Sequence, residues 1–248
     1  MHDEHDSPSL WPLSDFQRAR DAGRLHLAGD GRPTLLPTTL LADLQQLQGE
    51  HMQGDVLEVV AACMRNHEAA LLYLEYGSYV WPVTLFPREH LYHSTRDVAS
   101  LAADPAMSKL RLIGIEPPGV KPPGHAMHER VAGAESYRPL NLLLWTLALQ
   151  GPRADVLNEI SGRVAYRLVS TSARDLPPAP GALASAVARL RNEAASLRDV
   201  AGWPGLSVER ASRLLNALYL AGALMVSRSH PAARSGPPSW RQWFGRRP

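Results

Sequence analysis

Cysteine is almost missing from this chain. Cys63 stands alone, so no intrachain disulfide can form and no cysteine-based metal cluster can be built. Its neighbours Val59, Val60, Ala61 and Met64 place it on an apolar stretch, the setting of a buried, inert thiol. Lysine is nearly absent too: of 26 basic residues only Lys109 and Lys121 are lysines. Long hydrophobic runs are lacking as well. The longest, Leu142–Leu149 with Thr146 inside it, is far short of the ~20 residues that span a bilayer. The acidic start Met1-His2-Asp3-Glu4-His5-Asp6 leads into no apolar run and does not read as a secretory signal. A cytoplasmic location is the expectation.

The motifs of well-known enzyme classes are missing in the same way. There is no Gly-x-Ser-x-Gly elbow, no Walker loop, no Gly-x-Gly-x-x-Gly and no His-Glu-x-x-His. His90 and His93 form one near pair and His125 and His128 another, but a zinc site needs three or four ligands with a supporting shell. Ten histidines in 248 residues give such pairs by chance. Glu75 and Glu89 are scattered around a strand pair with no partner carboxylate at a defined spacing. The expectation is therefore no catalytic residue, no metal and no cofactor.

What is present is enough apolar residue, 45% of the chain, to bury one large core or two small ones. Charge is unevenly spread: residues 1–130 hold 11 basic and 17 acidic side chains, residues 131–248 hold 15 and 7. An arginine-rich half suits anionic or planar partners, because guanidinium binds carboxylate and phosphate through two parallel hydrogen bonds. The pattern predicts a loosely ordered segment at 1–34 and an α+β domain over 35–170. Within that domain helices are expected at 35–47 and 55–66. A β-hairpin is expected at 69–86 around Gly77-Ser78, with its second strand at an edge or bulged because Pro82 cannot donate to a ladder. A short helix at 96–103, a strand at 110–116, helices at 138–150 and 153–160 and a half-buried strand at 162–169 complete it. The proline-rich stretch 171–182 reads as a linker.

Residues 183–230 carry three helical patterns. Leu183, Val187, Leu190 and Ala194 share one face; Ser196 caps Leu197–Ala201, with Asp199 three residues on; Ser207 caps a third helix through Leu218, and Gly222 stops it. The elements Leu197-Arg198-Asp199-Val200-Ala201, Gly205-Leu206-Ser207 and Leu215 to Leu224 resemble the winged helix-turn-helix superfamily. The resemblance covers only about 45 residues and implies that Leu224–Arg228 opens a wing. It also implies that the third helix can enter a DNA major groove, with Arg210, Arg213 and Asn216 facing bases and Arg228 and Arg234 on phosphates. Beyond it, residues 231–248 read as a flexible linker and a tail. There Trp240, Arg241, Trp243, Phe244, Arg246 and Arg247 make an aromatic-basic segment suited to a protein groove or an anionic membrane surface. Together these features point to a bacterial, non-enzymatic regulatory or adaptor protein that binds protein partners. A DNA-binding transcriptional regulator is the alternative, and an enzyme using His90, His93 or Glu89 is the third.

Overall fold

The computed structural model describes residues 10–25, 27–28, 35–49, 55–169 and 176–234. The fold is mixed α+β, and the chain divides into two compact units, Met1–Arg153 and Ala154–Pro248. Among the described residues no helix is long and apolar enough to cross a membrane.

The first unit is built on the expected hairpin. Strands β2 (Ala70–Tyr76) and β3 (Tyr79–Phe86) pair antiparallel from Tyr76↔Tyr79 to Ala70↔Leu85. Gly77 closes the turn at φ 61°, where a side chain would be strained. Four further strands complete an antiparallel sheet: β1 (Trp11–Pro12), β4 (Leu91–His93), β5 (Arg111–Glu116) and β6 (Tyr137–Pro139), with β5-β2-β3-β4-β6 in order and β1 beside β3. β3 is therefore an interior strand, contrary to the expectation from Pro82. Its second edge meets β1 at Tyr79–Val80 and β4 at Thr84–Phe86, and Pro82 lies in the gap between them. There the Pro82 carbonyl accepts a hydrogen bond from the buried Ser94 hydroxyl, 3.2 Å away. In a strand, the N–H and C=O of one residue point the same way. The missing donor thus falls where the ladder needs none.

Helices α1 (Leu13–Asp21), α2 (Thr38–Gly49), α3 (Val56–Asn66), α4 (Val98–Leu101) and α5 (Leu140–Gln150) belong to this unit. α1 corrects the expectation of a loosely ordered start. Its Phe16 is fully buried, 5.0 Å from the Tyr73 ring centroid and edge-on to Trp11. The helix expected over 153–160 is reduced to a single 3-10 turn at Asn158–Ile160. α3 starts at Asp55, whose carboxylate accepts from the Leu57 and Glu58 N–H groups, and its Val59, Val60 and Cys63 are buried. Arg153 reaches back to this helix start. Its guanidinium pairs with Asp55 at 2.5 Å and Glu58 at 2.8 Å, and Glu58 is only 5% exposed.

The second unit takes the strand expected to end the first. β7 (Ala165–Leu168) pairs antiparallel with β8 (Leu224–Ser227), with Arg167 opposite Met225. On its other edge Tyr166 exchanges both backbone hydrogen bonds with Ala195. Non-local pairing thus places 162–169 with the helices that follow, and the chain divides before that strand and not within 171–182. Helices α6 (Ala182–Asn192), α7 (Leu197–Ala201) and α8 (Val208–Leu220) lie between the two strands in sequence. Ser196 and Asp199 form a reciprocal capping box on α7, and Ser207 caps α8 through the Arg210 N–H. After β8 the described chain forms a 3-10 turn, Pro231–Arg234. The expected wing of consecutive strands is not formed among the described residues, and β8 takes its partner from upstream.

Two outcomes follow for the first unit. Arg153→Ala leaves Glu58 buried without its cation and is expected to cost about 3–5 kcal/mol in denaturant unfolding; a loss under about 1 kcal/mol contradicts the role given to that ion pair. Burial pushes the Cys63 thiol up to about 12, against about 8.5 in an unfolded chain. This group's contribution to stability is therefore full below about pH 8.5 and is lost as pH rises toward 12, because the unfolded chain ionises first. A thiol reagent at about pH 8 is expected to leave the native protein unlabelled and to label it fully once unfolded.

Candidate functional site

The residues assigned to DNA reading do not share an open face. A helix-turn-helix reads a major groove chiefly with the N-terminal residues of its recognition helix, so a residue further along must still reach that open side. In α8, Ala211, Ser212, Leu214 to Leu218 and Leu220 are all buried. Only the first turn, Val208, Glu209 and Arg210, is exposed, while Arg213 and Tyr219 are half-buried.

Asn216 is the sharpest correction. It is fully buried: its amide oxygen accepts from the Leu157 N–H at 2.9 Å, and its amide nitrogen donates to the Asp155 carbonyl at 2.9 Å. Both ends of the side chain are committed to one backbone segment, which leaves nothing for a base edge. The remaining candidates are engaged as well. Arg213 holds Glu209 at 3.0 Å one turn away. Arg210 donates to the Gly205 carbonyl at 2.6 Å, and Arg228 to the Glu159 carbonyl at 3.3 Å. Arg234 contributes backbone to the last 3-10 turn, and its side chain lies outside the described residues. So do Trp240, Arg241, Trp243, Phe244, Arg246 and Arg247. The row Ser212, Asn216, Leu220, at i, i+4 and i+8, is the signal that marks a second buried face. An asparagine flanked by Leu214, Leu215, Ala217 and Leu218 belongs to it.

A wide depression of 520 Å³ in the same unit lies beside α6 and α7. Its charges are largely used: Arg189 stacks 4.2 Å from the Trp203 ring centre and pairs with Glu193, and Asp199 caps α7.

The histidine pairs also resolve. His93 is half-buried on β4 beside the Tyr137 ring, and burial together with the Arg138 guanidinium holds its imidazole below the usual range. His90 sits in the β3–β4 turn at φ 55°, and its carbonyl accepts from the Leu140 N–H. No group of three or more metal-ligating side chains occurs among the described residues.

His125 instead reaches a pocket that sequence reasoning did not single out. This pocket of about 130 Å³ lies where the α3–β2 junction, the β3–β4 turn and the proline-rich loop 117–125 meet. Buried Phe86, Pro87 and Pro122 supply apolar lining, and His67, Lys121, His125 and Glu89 supply polar lining. Arg88 ties two of these elements together, donating to the His67 carbonyl at 2.8 Å and the Glu68 carboxylate at 3.1 Å. The loop is braced without regular structure. Arg130 donates to the Pro118 and Gly119 carbonyls, the Tyr137 hydroxyl donates to the Lys121 carbonyl, and Lys121 forms a bridge to Val131. A long surface loop held in one shape by side chains is a frequent home for binding residues. Its one advance signal was the density of Pro117, Pro118, Pro122 and Pro123.

No protein-family model matches the chain, and neither a curated protein nor a solved structure is significantly similar to it.

Asn216→Ala strands a buried N–H and a buried carbonyl, and it is expected to lower stability by about 2–4 kcal/mol. Arg210→Ala, on the exposed first turn, is expected to change it by under about 0.5 kcal/mol. Equal small effects in equilibrium unfolding would contradict the buried position of Asn216.

Proposed function

We propose that this chain is a cytoplasmic, non-enzymatic regulatory or adaptor protein whose second unit is a winged-helix-like module that recognises protein. The observation that carries this reading is the burial of α8 around Asn216. It takes Asn216 away from any base edge and limits the open part of the helix to its first turn, which with the outer face of β7–β8 is the contact surface of this reading. On that outer face Met225 is 54% exposed opposite the exposed Arg167. An aliphatic surface beside a guanidinium is the composition found in protein interfaces. The aromatic-basic tail, Trp240 to Arg247, supplies a second contact in this reading, and two modest sites on one chain raise avidity together.

Titration of the full-length protein against labelled mixed-sequence duplex DNA separates this reading from the transcriptional-regulator alternative. The expected result at low salt is weak binding that Arg210→Ala/Arg213→Ala leaves unchanged. Tight binding that falls steeply with salt and is lost in that double variant would overturn the proposal in favour of the regulator.

A further inference from the structure

The pocket under the proline-rich loop of the first unit has the makings of a ligand site, and its chemistry narrows what it takes. Its volume of about 130 Å³ is below the roughly 300–1,000 Å³ of pockets that take drug-sized molecules. Ala69 and Pro118, both part-exposed, offer apolar surface to a short stem. Polar groups line the rest. The Lys121 ammonium makes no ion pair among the described residues, whereas its backbone is fixed on both sides by Arg130 and Tyr137. His125 accepts the Met127 N–H on Nδ1 at 3.1 Å. That bond assigns the ring proton to Nε2, which leaves an N–H donor for a ligand. His67, also in the lining, is exposed and held in the left-handed region at φ 53° as the cap of α3.

Two carboxylates also line the pocket. Glu68 is neutralised by Arg88 at 3.1 Å. Glu89 is exposed in the turn beyond it and offsets the charge of Lys121. The pocket is therefore close to neutral, with the Lys121 ammonium and the Nε2–H of His125 as donors beside the Glu89 carboxylate. That balance disfavours a phosphate dianion and suits a singly charged acceptor.

We infer that this pocket binds a carboxylate on a short apolar stem, with Lys121 and the Nε2–H of His125 as its donors and Ala69 and Pro118 against the stem. The carboxylate belongs either to a small free acid or to the end of a peptide chain. This inference is independent of the adaptor reading, because it concerns only the first unit.

The test is an amide NMR titration of the full-length protein with sodium butyrate, with sodium chloride and sodium phosphate as controls at matched ionic strength. Butyrate is expected to give saturable shifts confined to residues around His67, Glu89, Lys121 and His125, and the controls none. Lys121→Gln is expected to weaken butyrate binding about tenfold, and Lys121→Arg to retain most of it. Glu89→Gln removes a like charge and is expected to tighten binding about two- to threefold. A tripeptide with a free C-terminus, run beside its amidated form, separates the sources. Tighter binding than butyrate, lost on amidation, assigns a chain terminus; weaker binding assigns a free acid. Absence of saturable shifts with both butyrate and the free tripeptide overturns the inference. Phosphate shifts equal to those of butyrate overturn it too, as does weaker butyrate binding in Glu89→Gln, because a free carboxylate beside the site must oppose a bound anion.

Discussion

An asparagine side chain brings one acceptor and two donors wherever it goes, and inside a protein each needs a partner or costs free energy. Asn216 meets most of that demand against one segment: its oxygen accepts the Leu157 N–H and one of its two amide hydrogens goes to the Asp155 carbonyl. The consequences spread through the second unit. The segment before the 3-10 turn at Asn158–Ile160 is fixed against α8, so α8 has no free side along its middle. Tyr166 completes the arrangement, donating its hydroxyl to the Ile160 carbonyl at 2.7 Å while its backbone holds Ala195. Burial pushes that phenol up to about 12, so it remains a donor at any physiological pH.

The first unit solves comparable problems with charge. Asp55 caps α3 with one carboxylate oxygen and takes Arg153 with the other. Ser94 accepts the Trp81 indole N–H at 2.8 Å and donates to the Pro82 carbonyl, which lets an interior strand tolerate a proline. Arg88 and Arg130 brace the turn and the loop that frame the pocket. In each case a side chain with several donors or acceptors replaces backbone pairing that the local chain cannot make, as expected where buried polar groups must be satisfied.

Legibility in the sequence followed the range of the interactions. The β2–β3 hairpin was plain because alternation and a Gly-Ser turn are adjacent in the chain, and α5 to α8 because apolar spacing and the caps Ser196 and Ser207 are local. β4 and β6, three residues each, carry too little pattern to stand out and exist only by pairing across the sheet. α1 was hidden in a polar neighbourhood, although Leu13 and Phe16 are one turn apart. β7 was recognised as a strand but given to the wrong unit, since its partner is more than fifty residues away and nothing local specifies it. For the site, spacing placed Arg210 on an outward turn correctly. Asn216 differs because a polar side chain flanked by Leu214, Leu215, Ala217 and Leu218 lies on the buried side, where its polarity serves the backbone of Asp155 and Leu157.

The Asn216 clamp is most directly tested by amide hydrogen exchange at Leu157, a residue in no regular element whose N–H has a side-chain acceptor. This amide is expected to exchange as slowly as the core of α8 around Leu214 and Leu215, and to lose that protection selectively in Asn216→Ala. Exchange at the rate of an exposed loop in the unmodified protein would mean that the clamp is not formed. Asn216 would then be free to face a ligand, and α8 could offer DNA more than its first turn.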